Sequence, residues 1–269
     1  MTSPNNRQHH IDEKFEADLT DAVFSNRLLV RGVAKKRRFK NVNFRYTIFD
    51  TCYLRSCVFD DCDFTGCRFS GTNVLGSSFE NCKFDYVVFE RTHIDSSILG
   101  TNCPGYENLK LRFARSLRLN YQSLGDSEAV NAAIAIELDA SEAHLHKAWK
   151  SPEAYYRSKY KGVDRAKMFL RWFGFKCLDL IWGNGESTWK LARAVGVTLL
   201  GMALIHVFFF GNPAQVSEYF SALWQMPQVF LGALMPPSYP AGYLALVFFL
   251  RLVAFGFFMS IVIKRFNRR

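Results

Sequence analysis

From Phe39 onward every fifth residue is large and apolar: Phe39, Phe44, Phe49, Leu54, Phe59, Phe64, Phe69, Val74, Phe79, Phe84, Phe89, Ile94 and Leu99. Two positions before each runs a series of mostly smaller residues, Val42, Thr47, Cys52, Cys57, Cys62, Cys67, Thr72, Ser77, Cys82, Val87, Thr92 and Ser97. The residues between them are mostly polar or charged. A period of five matches neither the 3.6 of a helix nor the 2 of a strand. Self-similarity at a fixed short period marks a repeat architecture, in which each unit buries its apolar face against the next.

This stretch resembles the pentapeptide-repeat proteins, whose consensus is a small residue, Asp or Asn, Leu or Phe, then two variable residues. Ala17-Asp18-Leu19-Thr20-Asp21 fits that consensus in the same phase, and Phe24, Leu29 and Ala34 continue it. The resemblance implies a right-handed quadrilateral β-helix with four pentapeptides per coil. About four coils would then stack at the inter-strand spacing of ~4.8 Å. Side chains twenty residues apart should pile up inside, Phe39 with Phe59, Phe79 and Leu99, and Phe44 with Phe64 and Phe84. Phe44, Phe59, Phe64, Phe69, Phe79 and Phe84 are the expected core. Arg27 and Arg37 occupy small-residue positions, so the first coil is expected to be distorted or replaced by a loop. Residues 1–16 read as an N-terminal tail and 17–103 as the β-helix.

The same register assigns the cysteines. Five of the seven, Cys52, Cys57, Cys62, Cys67 and Cys82, stand at the small inward position, where a thiol serves as a compact hydrophobe. Metal or redox chemistry would instead call for ligands converging at a C-x-x-C-like spacing. A step of five puts neighbours on adjacent sides of a coil, so packing is the expected role, and no cofactor or metal is expected.

The period stops after Leu99, and Pro104-Gly105 punctuates the break. From Asn108 to Trp149 the pattern turns helical around a Gly125-Asp126 turn. The segment LRLNYQSLGDSEAVNAAIAIEL resembles the helical hairpin that follows pentapeptide repeats in bacterial membrane proteins. Residues 104–150 are therefore read as a cap over the open end of the β-helix, whose last coil would otherwise expose a sheet edge. His144 and His146 diverge on a helix and read as surface residues. Residues 151–190 mix cations with aromatics. Between Lys147 and Lys190 ten Lys or Arg face four Asp or Glu, beside Trp149, Tyr155, Trp172 and Trp182. That mixture suits single-stranded nucleic acid by stacking and charge, or a helix lying in a lipid interface. Lipid is favoured because an apolar run follows.

The formal net charge of +10 is unevenly spread. Arg37 to Thr101 holds eight Lys or Arg and eight Asp or Glu, and the excess lies later, beside apolar segments, which points to anionic lipid. A mean hydropathy of −0.04 averages a polar first two-thirds with an apolar last third. Residues 191–269 read as a two-span membrane module. Ala194 to Phe210 carries no charge over 17 residues, and Ala241 to Ile263 carries only Arg251 over 23. The fourteen Leu, Ile, Phe and Val of the second run favour insertion by about 4–8 kcal/mol, against about 2.5–3.5 for Arg251. Gly211 to Pro240 holds no Lys or Arg, whereas Lys190 and Arg193 flank one span and Lys264, Arg265, Arg268 and Arg269 the other. The positive-inside rule then puts both termini in the cytoplasm, and a cytosolic β-helix also agrees with reduced cysteines. Met1 to Asp21 has no apolar run of the signal-peptide kind. Trp172, Trp182, Lys190, Arg193, Lys264 and Arg265 are the expected lipid-interface residues.

Between the spans, Tyr219 to Leu234 is apolar and helix-length, with Pro236-Pro237 after it. Span, short helix and span together resemble the two-span pore module of the potassium-channel superfamily, as found in bacterial channel-like proteins behind pentapeptide repeats. Trp182-Gly183-Asn184-Gly185-Glu186 resembles the motif before their first span, and Gly256 with Lys264 to Arg269 resembles the tail of their second. The departure is the filter. Those channels carry a Thr-x-Gly-Tyr-Gly-like run, and here Gln228-Val229-Phe230-Leu231-Gly232-Ala233 has one glycine. The resemblance implies a homo-oligomeric, channel-like protein of a bacterial inner (plasma) membrane with a cytosolic sensing or assembly domain. Arg251, His206, Glu218, Gln228, Gly232 and Gly256 are its candidate pore or intramembrane residues. Arg251 also has a purely structural reading, packed against Glu218, His206 or backbone carbonyls of a neighbour. The competing function is a membrane-anchored scaffold whose β-helix binds a protein partner, without conduction. DNA mimicry, known among pentapeptide proteins that protect gyrase, needs an acidic surface, and the neutral repeat region speaks against nucleic acid. No phosphate loop, nucleophile motif or carboxylate pair appears, so catalysis is not expected.

Overall fold

A computed structural model describes residues 7–266. Eleven short strands appear among them: β1 (Gln8–Ile11), β2 (Leu19–Thr20), β3 (Arg27–Val30), β4 (Val33–Lys35), β5 (Arg38–Lys40), β6 (Ile48–Asp50), β7 (Tyr53–Arg55), β8 (Val58–Asp60), β9 (Arg68–Ser70), β10 (Ser78–Glu80) and β11 (Val88–Glu90). All pair in parallel. One sheet runs β1-β3-β6-β9-β11, a second β10-β8-β5-β2, a third β4-β7. Isolated bridges from Val23 through Asn43 and Asp63 to Lys83 form a fourth side. This is a parallel β-solenoid of about four turns with four sides.

Its register is the sequence period multiplied by four. Phe39 pairs with Phe59 and Phe59 with Phe79, each twenty residues on. The rings stack nearly parallel, at 4.9 Å for Phe39–Phe59, 5.2 Å for Phe44–Phe64 and 4.6 Å for Phe49–Phe69. Phe44, Phe59, Phe64, Phe69, Phe79 and Phe84 are all buried. Leu99 is buried too, but on the short helix α1 (Ile98–Thr101), so its stack ends at Phe79.

The corners reveal a constraint the apolar period conceals. Every fifth residue from Asn41 to Arg91 has φ between +47° and +71°. Gly66, Gly71 and Gly76 adopt this left-handed conformation freely, and the others at a cost of about 1–2 kcal/mol each. Stacking against the neighbouring coils holds them there.

The first coil begins earlier than the period does. β1 lies within the segment read as a tail, and pairs with β3 at a step of nineteen, Gln8 opposite Arg27. Phe15 packs edge-on against Phe39 at 5.7 Å. One residue fewer in this coil shifts the phase, which is why the repeat is not visible there. Arg27 is accommodated rather than looped out. Its guanidinium donates to His10 Nε2 at 3.0 Å and lies 4.7 Å over the Phe24 ring.

Helices complete the chain: α2 (Glu107–Leu124), α3 (Ser127–Lys150), α4 (Ala154–Lys159), α5 (Gly162–Trp182), α6 (Thr188–Phe209), α7 (Val216–Leu231) and α8 (Ala241–Phe266). Gly125, at φ 75°, ends α2, and the Asp126 carboxylate accepts from Ala129 N at 3.0 Å to begin α3. His144 departs from its surface reading. It sits half-buried between Tyr156 and Tyr160, 3.4 Å from each hydroxyl, and burial together with Lys159 lowers its pKa. Two compact units divide inside α5, between Phe169 and Leu170.

Candidate functional site

In the solenoid, the inward small residues form a hydrogen-bond ladder as well as a packing layer. Where the residue is Cys, Ser or Thr, from Thr47 to Thr92, it donates to the carbonyl of the residue twenty-three positions earlier: Cys52 to Leu29 at 3.3 Å, Cys62 to Phe39 at 3.3 Å, Cys67 to Phe44 at 2.8 Å. Thr72 donates to Phe49 at 3.1 Å, Ser77 to Leu54 at 2.8 Å, Thr92 to Phe69 at 3.1 Å, and Thr47 to Phe24. A buried carbonyl needs a donor, and Cys, Ser and Thr are the small residues that carry one. Burial pushes the Cys52 thiol up to about 11 and raises the Cys67 thiol further, so these sulfurs stay protonated and inert. All seven cysteines are free thiols.

The last coil ends on α2. Phe113 packs 5.7 Å from Phe84 and 6.1 Å from Phe89. Ser116 Oγ accepts from Phe89 N at 2.9 Å. Asn120 accepts from Thr92 N and donates to Thr92 O, both at 2.7 Å, so its side-chain amide takes the place a further strand would fill. Asn120 was not singled out by the sequence, although a buried Asn in phase with Phe113 and Leu117 on one helix face is a visible signal. Beside this contact, a groove of about 480 Å³ is rimmed by Arg91, Arg112 and Arg115.

The second unit packs α6, α7 and α8 around Met202, Val207, Ala222, Met226 and Val247. Thr188–Phe209 and Ala241–Phe266 are long and apolar enough to cross a membrane, and only 22% and 11% of their apolar stretches are buried. Core helices of a water-soluble fold would be largely covered. Their exposed large side chains include Leu200, Leu204, Phe208, Phe249, Leu252 and Phe255.

The intramembrane candidates do not converge. Arg251 meets neither Glu218 nor His206. Its Nη1 donates to Leu231 O at 2.7 Å, and its guanidinium lies 4.8 Å over the Phe248 ring. Leu231 is the last residue of α7, whose carbonyl end carries the negative pole of the helix dipole. Gly232 caps that end at φ 80°, and a Cβ there would crowd Arg251 Nη1. The glycine is thus explained twice, by its left-handed backbone and by the close approach of a cation. His206 Nδ1 shares a 2.6 Å hydrogen bond with Tyr239. Gln228 Nε2 donates to Trp224 O at 3.3 Å. Glu218 lies beside Gly211, and Gly256 faces open space on α8.

The expected lipid-interface residues gather at the start of α6 and the end of α8. Lys190 pairs with both oxygens of Asp179 at 2.8 Å, and Arg193 donates to Leu180 O at 2.8 Å. Lys264 lies 3.6 Å from Glu186 and 5.6 Å over the Trp182 ring, which stacks on Phe257 at 4.3 Å. Trp172 is half-buried on α5 and Arg265 is exposed. Arg268 and Arg269 lie outside the described residues. The Asp179 and Glu186 partners were missed, because carboxylates and cations on different helices have no fixed sequence spacing. Among the described residues, no group of three or more His, Cys, Asp or Glu is placed to hold a metal.

Comparison with known proteins bears on the solenoid alone. The family described as Pentapeptide repeats (9 copies) matches residues 59–98, and that described as Pentapeptide repeats (8 copies) matches residues 38–74. Among solved structures, the chain is similar to a pentapeptide repeat protein from the Arabidopsis thaliana thylakoid lumen. Identity is 16%, the match covers 31% of this chain and 72% of that one, and the TM-score is 0.19. No curated protein matches the chain. With a matched repeat, a twenty-residue coil register and phenylalanine stacks on three of its four sides, the solenoid of this chain is a pentapeptide-repeat domain.

Proposed function

We propose that this chain is a non-catalytic, two-span protein of a bacterial inner membrane, with both termini cytoplasmic, that tethers a pentapeptide-repeat domain as a docking platform for a protein partner. The observation that carries this reading is the engagement of Arg251. The one charge within residues 241–263 of α8 donates inside its own chain to the end of α7. That arrangement satisfies a helix terminus that hydrocarbon would leave without partners. It supplies Arg251 with a structural role that needs no pore.

The channel-like homo-oligomer is the second reading, and α7 favours it. A helix held between two spans, with its carbonyl end aimed at a cation, is a geometry that can present charge to an ion path. The two readings separate in liposomes. Purified protein should give no ion flux above that of empty vesicles, and Arg251→Leu should insert yet leave partner capture by the pentapeptide-repeat domain unchanged. Flux through the wild type that Arg251→Leu abolishes would replace the platform with the channel.

A further inference from the structure

Arg251 lines a cleft of about 760 Å³ formed by α6, the end of α7 and α8. Leu191, Val195, Phe230, Phe255 and Phe258 form its walls, and apart from Arg251 the polar side chain lining it is Thr188. That size falls in the range of small-ligand sites, which are apolar with few polar groups. The guanidinium has five N–H donors and commits one of them to Leu231 O. Among the described residues it pairs with no carboxylate. A cation among apolar walls without a counter-charge is a recognition element for an anion.

We propose that this cleft binds a single-tailed amphiphile with a carboxylate head, of the long-chain fatty-acid class. The carboxylate matches the free edge of the planar guanidinium, and one charge balances one charge. The tail lies along Val195, Phe255 and Phe258. Depth argues for a small head. Arg251 is the eleventh residue of α8, about 15 Å from its start, well inside a hydrocarbon layer about 30 Å thick. A phosphodiester headgroup with two tails belongs at the surface of that layer. A single carboxylate is the smaller anionic group to bring to that depth, and its desolvation is offset by pairing with the guanidinium.

The site rests on the reading of α6 and α8 as spans, and its test is separate from theirs. Full-length protein in phosphatidylcholine nanodiscs would be titrated with palmitate and with hexadecanol, which has the same tail and no charge. Palmitate should saturate at one per chain and bind about tenfold tighter than hexadecanol, the discrimination a charge-assisted hydrogen bond supplies. Arg251→Leu should erase that preference. Ala192→Trp should weaken both ligands by filling the cleft without touching the guanidinium. Equal binding of the two, or palmitate binding that survives both variants, would overturn the proposal. So would displacement of palmitate by phosphatidylglycerol in the disc, which would assign the site to a lipid headgroup. A cleft closed to palmitate by a cross-linkable second copy of the chain would overturn it as well. A chain that fails to enter the bilayer fails the span reading instead, and carbonate extraction detects that independently.

Discussion

Thiol and hydroxyl are interchangeable in this solenoid because the position asks for a small body and a donor, not for reactivity. Cys52, Cys62 and Cys67 reach the same kind of carbonyl as Thr72, Ser77 and Thr92. The large apolar residues carry the stability. Phe64 is fully buried, stacked between Phe44 at 5.2 Å and Phe84 at 5.1 Å. Phe64→Ala should therefore destabilise the domain by about 3–5 kcal/mol. Arg68, four positions on, grips Glu90 in solvent, and such exposed pairs contribute about 0–1 kcal/mol. Thermal unfolding of Phe64→Ala and Arg68→Ala checks the contrast. Equal shifts in Tm would contradict the inward and outward assignment of the two side chains.

Two elements of the fold end on side chains that imitate backbone. On the solenoid, Asn120 of α2 supplies Thr92 with the donor and acceptor of a missing strand. On α7, Arg251 supplies a donor to the last carbonyl of the helix. Both solve one problem, the polar backbone groups left over when a regular element stops. Asn120 is 1% exposed, so truncating it leaves a buried N–H and C=O unmet. Asn120→Ala should cost about 1–3 kcal/mol, and amide exchange at Thr92 should accelerate in hydrogen-exchange measurements while that at Cys52 does not. Unchanged protection at Thr92 would mean that α2 does not terminate the coil through this residue.

For the whole molecule the decisive quantity is where the cations lie along the chain. Lys190, Arg193, Lys264 and Arg265 flank the outer ends of α6 and α8, and residues 211–240 between the two helices contain no Lys or Arg. With both helices spanning, a reporter fused after Arg269 should read cytoplasmic. A cysteine introduced at Pro213 should react with an impermeant thiol reagent from the opposite side. Cytoplasmic readings at both positions would reduce the module to a surface anchor. Asp179 and Glu186 partly neutralise this belt through Lys190 and Lys264. With both helices spanning, the exposed Arg193 and Arg265 would carry more of any attraction for anionic lipid than a count of charges suggests.

The five-residue period by itself determined the solenoid, its inward phenylalanines and the burial of Cys52, Cys57, Cys62 and Cys67, with Cys82 partly covered, because a repeat confines each residue to one environment. Composition alone marked the two apolar helices, since their length and lack of charge are properties of contiguous sequence. What lay beyond both were the contacts outside the repeat register between residues far apart in the chain. The shortened first coil hid from the period because losing one residue shifts the phase by which repeats are recognised. Asn120 on Thr92, His144 between two tyrosines and Arg251 on Leu231 were decided by tertiary structure. In each case a polar group was read from its neighbours in sequence, and its partner was fixed by where helices ended and how they packed. Arg251 shows the difference most sharply. Sequence declared a charge in an apolar helix to be in need of a partner, and only the folded chain could name a backbone carbonyl twenty residues away.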